Sequence, residues 1–124
     1  MAAVFPRSDY RTFVTALASG SKTTVYTVGD DSEKWADVVG ITISDSTGSV
    51  NSGATIHCTL RTGVTERVLA NPKVDEIDND YHLECLPVHL EAGGTIAVTG
   101  ASGHHVWITI HKGTVAAGAA TLQR

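Results

Sequence analysis

The stretch "ATIHCTLR" (54–61) alternates apolar and polar residues position by position, and similar stretches recur along the chain with turn signals about every ten residues. That period puts successive side chains on opposite faces of an extended strand. A helix does not tolerate it, because its neighbours repeat every three to four residues. Strands are predicted over "TTVYTV" (23–28), "WADVVGITIS" (35–44), "ATIHCTLR" (54–61), "TERVLA" (65–70), "YHLECLPVHL" (81–90), "TIAVT" (95–99) and "HVWITIH" (105–111). In the second of these, Val39, Ile41 and Ile43 are expected on one face, with Thr42 and Ser44 on the other.

The segments between the strands carry turn chemistry. "SDSTGSVNSG" (44–53) is rich in residues that accept positive φ or hydrogen-bond their own backbone. "TGV" is expected to join 54–61 to 65–70 as neighbours, and "EAGG" (91–94) and "GASG" (100–103) bracket the 95–99 strand. The second of these predicts a hairpin with 105–111. Pro87 has no N–H to offer a ladder, so an edge or a bend is expected there. The fold class that follows is all-β: a single antiparallel β-sandwich, jelly-roll or Ig-like, of about 7–8 strands with flexible termini.

A chain of 124 residues buries a core of its own and is read as one domain. The expected layout is an N-terminal arm over 1–9, the β-sandwich domain over 10–112 and a flexible C-terminal tail over 113–124, where "TVAAGAATLQR" is small and weakly patterned. Near the start, Tyr10, Phe13, Val14 and Leu17 fall at helical spacing, with Ser8 or Asp9 as a cap and Gly20 as a stop. "RTFVT" and "ASGSK" fit a strand and its turn equally well.

Apolar residues make up 42 % of the chain and charged residues 18 %, with a formal net charge of −4. The nine Lys and Arg residues are scattered singly, which argues against a nucleic-acid-binding face. No apolar run is long enough to span a membrane as a helix, and "MAAVFPRSDYR" lacks the pattern of a signal peptide. A soluble protein made in the cytoplasm is expected. Cys58 and Cys85 both sit on the apolar side of alternating stretches, as small buried hydrophobes do. Free buried thiols are the expectation, and a Cys58–Cys85 bridge is the lesser alternative that the spacing leaves open.

Three of the six histidines lie within "HHVWITIH" (104–111). On a strand, His105 and His111 share a face but lie roughly 20 Å apart, too far to ligate one metal. His104 points the other way, with Val106, Ile108 and Ile110, at the mouth of the turn. A zinc site would need His57, His82 or His89 from other strands. Trp107 shares the outer face with His105 and His111, and an outward Trp suggests a contact surface. Asp75, Glu76, Asp78 and Asp80 crowd "KVDEIDNDYH" (73–82), an acidic loop without the glycine and terminal glutamate of an EF-hand. No G-x-S-x-G elbow, P-loop or placed pair of carboxylates occurs. No catalytic residue, no metal site and no cofactor is expected, and the chain is not read as an enzyme.

The order "TALASGSKTTVYTV", "WADVVGITISDSTGS", "ATIHCTL" and "CLPVHLEAGGTIAVTGASGHHVWITI" resembles small bacteriophage virion proteins of the β-sandwich type. Tyr26–Thr27 closes the first strand of their pattern. Val38, Gly40, Ile41, Ile43 and Ser44 fit its V-x-G-I-x-I-S strand, and Leu90, Ala92, Gly93, Gly94, Ile96 and Val98 its last L-x-A-G-G-x-I-x-V segment. "VGDDSEK" departs from the proline–glycine turn usual there. The resemblance spans about residues 12 to 111 and favours a strand over a helix near Phe13. It implies a virion structural protein that self-associates as a trimer or ring and binds capsid or tail subunits as a decoration, neck or tail accessory. It would be assembled in the host cytoplasm. Trp107, His105, His111, Trp35 and Tyr81 are the expected partner-contact residues. The alternative is a carbohydrate- or receptor-binding module, with Trp35, Trp107 and Tyr81 stacking the sugar rings of a host glycan and the 75–80 loop holding calcium.

Overall fold

A computed structural model describes residues 8–29, 34–48, 50–84 and 87–114. Nine strands and one short helix occur among these residues. In chain order they are β1 (Ser8–Ala16), β2 (Thr23–Thr27), β3 (Lys34–Asp45), β4 (Thr55–Thr59), β5 (Arg67–Ala70), α1 (Val74–Asp78), β6 (Tyr81–His82), β7 (Val88–Glu91), β8 (Thr95–Thr99) and β9 (His104–Thr114). One sheet runs β1-β9-β3, with β6 and β7 both paired to the far edge of β3. The other runs β2-β8-β4-β5. All the pairings are antiparallel.

The chain crosses between the sheets at most of its connections, as in a jelly roll, and in place of an Ig-like order of local hairpins. The fold is therefore the expected β-sandwich. The expected hairpin between 95–99 and 105–111 is not formed: β8 lies in one sheet and β9 in the other. Gly103, at φ +101°, turns the chain across, and a Cβ there would lie 2.5 Å from Val50 Cγ2. The "TGV" prediction holds, since β4 and β5 pair across it. Pro87 comes directly before β7, where the predicted 81–90 strand is split into β6 and β7.

The core forms where the inner faces meet. The first sheet supplies Ala36, Val38, Ile41, Ile43, Leu90, Val106, Ile108 and Ile110, and the second Ile56, Cys58, Ile96 and Val98. Val39 departs from the expected pattern. Val38 pairs with Ile110 and Gly40 with Thr109, so Val39 is an extra residue in a β-bulge and turns outward, 39 % exposed. The bulge restores Ile41 and Ile43 to the inner face. Cys58 is a buried free thiol, while the pairing question involves Cys85, which lies outside the described residues.

The acidic 73–82 segment is a helix followed by a short strand, not a loop. Ile77 anchors α1 in the core, and the Glu76 carboxylate accepts the Lys73 N–H at its start. Asp80, at φ 59°, ends it in the left-handed conformation that aspartate tolerates. β1 is a strand, as the resemblance implied, and begins at Ser8; β9 runs to Thr114. The sheet thus extends two residues past each expected domain boundary. The rest of the expected arm and tail, 1–7 and 115–124, lies outside the described residues.

Candidate functional site: the outer face of the larger sheet

The two outer faces of the sandwich differ in chemistry. The smaller sheet turns out mostly small β-branched side chains, including Thr55, Thr59, Thr95 and Thr99, which suit a pleated surface. His57 lies among them, its Nε2 3.0 Å from Thr99 Oγ1 and its Nδ1 3.4 Å from the Glu66 carboxylate. The larger sheet turns out aromatic rings and imidazoles.

Register builds the larger face row by row. Tyr10, His111, Asp37 and His89 stand opposite one another on β1, β9, β3 and β7. Tyr10 and His111 stack with centroids 4.6 Å apart. Trp35 meets His111 edge-on at 5.5 Å and His89 at 5.9 Å. His89 Nδ1–H donates to the Asp37 carboxylate, which orients its ring. Towards the other end, Thr12 and Thr109 share a hydroxyl hydrogen bond of 2.9 Å. Beyond them Val14, Trp107, Thr42 and His82 form a second row, with Thr42 Oγ1 2.8 Å from His82 Nδ1. His105 lies opposite Ala16 and Ser44 in the last row.

The face is open. Tyr10 is 68 % exposed, Val14 48 % and Trp107 45 %. Trp107, His105, His111 and Trp35 therefore share one surface, as four of the five expected contact residues. Tyr81 does not. It pairs with Ile43 on the inner side and packs against the core. The expected sugar-stacking trio is thus not assembled. The two tryptophans are well apart on the sheet: Trp35 of β3 faces Gly113 of β9, six positions along β9 from Trp107, which faces Thr42. Roughly 20 Å separates them along the strand.

Sequence reasoning missed the Tyr10–His111–Trp35–His89–Asp37 cluster. Alternation within "VHLE" and "KWAD" places His89, Trp35 and Asp37 on consistent faces, but only register joins the three strands. His104 was expected at the turn mouth, and it is fully buried, 0 % exposed. Among the described residues, no three His, Cys, Asp or Glu side chains come together to hold a metal ion. That applies to α1 as well as to the histidine face. A recess of about 380 Å³ lies between β4 and the start of α1, lined by Ala54, Thr55, Asn71, Pro72, Lys73 and Thr99 among others. None of the described helices is long and apolar enough to cross a membrane.

No protein-family model matches the chain, and no match is found among curated proteins. Solved structures do match in fold. One is a subunit of the disulfide-linked pili formed by Bacillus endospore appendages, with TM-score 0.52 and 13 % identity over 90 % of this chain and 90 % of that one. Another is the structure of infectious bursal disease virus Gx strain, with TM-score 0.46 and 13 % identity over 91 % of this chain and 33 % of that one. The chain thus spans about a third of the viral protein's length. The pilus subunit supports the fold: a two-sheet β-sandwich.

Proposed function

We propose that this chain is a structural subunit that works by repetition, self-associating and binding neighbouring subunits of a bacteriophage virion as a capsid decoration or as a neck or tail accessory. The observation that carries this reading is the outer face of the larger sheet. Trp107, Val14 and Tyr10 stand exposed on the sheet, and among the described residues its β1 edge pairs with no further strand. A large aromatic with β-branched and small neighbours is the composition of an interface centre, and imidazoles and threonines supply a polar surround. Weak contacts of this kind become stable when symmetry multiplies them. The fold-level likeness to a pilus subunit agrees with a sandwich used as a building block.

The mass of the tag-free full chain, by size-exclusion chromatography with light scattering, tests the proposal. A closed trimer or ring is expected, and Trp107→Arg dissociates it into monomers whose circular dichroism spectrum is that of the folded chain. A chain that stays monomeric at every concentration, with both tryptophans emitting as exposed residues, overturns self-association.

A second reading rests on Trp35, flanked by His89 and His111, with Tyr10 stacked on His111 and the Asp37 carboxylate on His89, an arrangement suited to stacking a sugar ring. In that reading the partner is a host surface glycan. Stabilisation by oligosaccharide that Trp35→Ala abolishes and Trp107→Arg leaves intact would favour it.

A further inference from the structure

At one end of the sandwich residues 46–48 and 50–54, between β3 and β4, lie over the β8–β9 turn (100–103), and His104 is enclosed beside them. Its ring is fully buried. Its Nδ1 accepts the Ala101 N–H at 3.2 Å, which puts the neutral ring's proton on Nε2. Among the described residues Nε2 meets no acceptor in hydrogen-bonding geometry, although the Ser52 backbone lies near enough to the ring to favour its protonated form. Nδ1 also lies tight against Gly100, where a Cβ would come within 2.8 Å of it and within 2.7 Å of Leu17 Cδ1.

The backbone of the same few residues ties three elements together. Leu17 N–H donates to the His104 carbonyl at 2.9 Å, which holds the end of β1. Ser46 donates to the Gly103 carbonyl with both its N–H and its hydroxyl, each at 3.0 Å. His104 N–H closes the turn onto Ala101 at 3.1 Å.

A second proton has only Nδ1 to go to. Protonation there replaces an acceptor with a donor and sets it against the Ala101 N–H, so that hydrogen bond is lost. It also leaves a cation enclosed between the sheets. The charged groups that act on the ring are Asp45, at the end of β3, and Asp78 in α1. Neither is placed to pair with it. The Asp45 carboxylate already accepts from the Thr47 N–H and hydroxyl, the Gly48 N–H and the Val50 N–H, and Asp78 is exposed on α1. A buried unpaired charge is relieved by movement towards water. We propose that His104 is the proton sensor of a latch: neutral, it keeps the β3–β4 loop and the β8–β9 turn closed on β1, and protonated, it releases them. Burial agrees with this, since it disfavours the charged form of the ring more than Asp45, the Ser52 backbone and Asp78 together favour it.

The test uses the isotopically labelled full chain, with histidine ¹⁵N spectra and amide hydrogen exchange followed from pH about 7 to about 5. The neutral ring is expected as the Nε2–H tautomer. On acidification, intrinsic-rate-corrected exchange at Leu17, Ser46 and Ala101 is expected to rise at least about tenfold while the centres of β3, β8 and β9 hold. His104→Leu should flatten that response, and Asp45→Asn should leave it in place. The wild-type measurement needs no variant, so a His104→Leu chain that fails to fold does not weaken it. An Nδ1–H tautomer, a protonated His104 with these amides still protected, or a response abolished by Asp45→Asn would overturn the latch.

Discussion

Single side chains here are governed by which side of the pleat they occupy. Cys58 is buried in the core on the same face of β4 as Ile56, and desolvation, followed by the nearby Glu66 carboxylate, pushes its thiol above the ordinary value. The thiolate is the reactive form, so Cys58 should resist alkylation in the folded chain. In a Cys85→Ser background, iodoacetamide is expected to modify it on the order of 100-fold more slowly than in urea. Equal rates would show that the inner face is open. Ile108 lies at the centre of β9 with no exposure. Ile108→Ala should cost about 2–5 kcal/mol in urea unfolding, the usual range for a buried aliphatic truncated to alanine. Trp107, one residue away, faces out, and its truncation should cost far less.

At the level of elements, β3 carries the most instructive departure from local pattern. Alternation assigns Val39 to the face of Ile41 and Ile43, yet the pairing with β9 makes it the extra residue of a bulge. Deleting Val39 leaves Val38 opposite Ile110 and Gly40 opposite Thr109, which is regular pairing. That deletion is therefore expected to fold, with a melting temperature within a few degrees of the parent, about 1 kcal/mol of stability being involved. Deleting Thr42 from the regular part instead turns Ile43 outward and should abolish folding, because a one-residue slip exchanges the two faces. Circular dichroism melts of the two deletions separate these outcomes. Loss of folding on removing Val39 would show that the bulge itself is required.

The whole molecule should lose stability on acidification in two separable windows. Burial lowers His104 below its ordinary 6.5. The unfolded chain therefore binds more protons between that value and the folded one, and stability falls as pH drops through this interval. Desolvation pushes the Asp45 carboxyl up, but hydrogen bonds from Thr47, Val50 and Gly48 outweigh it and hold the group below its ordinary 3.8. Its contribution is complete above 3.8 and is lost as pH falls through the lower folded value. Melting temperature against pH should thus show an upper step that His104→Leu removes and a lower step that Asp45→Asn reduces. A flat profile from neutral pH to about pH 5 would contradict the upper step.

Alternation in "TIHCT", "TIAVT" and "HHVWITIH" determined, without any structure, that the chain is built of strands and which side chains share a face. That information is local: it depends on the two-residue pleat and is complete within each segment. It separated Trp107, His105 and His111 from Val106, Ile108 and Ile110, and it put His104 with the inner set. Only the tertiary structure decided which strands became neighbours. β8 and β9 are adjacent in sequence but belong to different sheets, while β1 and β9, from the two ends of the described chain, pair over their length. Those pairings are long-range, set by how two inner faces fill one core, and no short segment encodes them. The same pairings brought Tyr10, His111, Asp37 and His89 into one row, drew Tyr81 inward and enclosed His104 beneath a loop it does not touch in sequence.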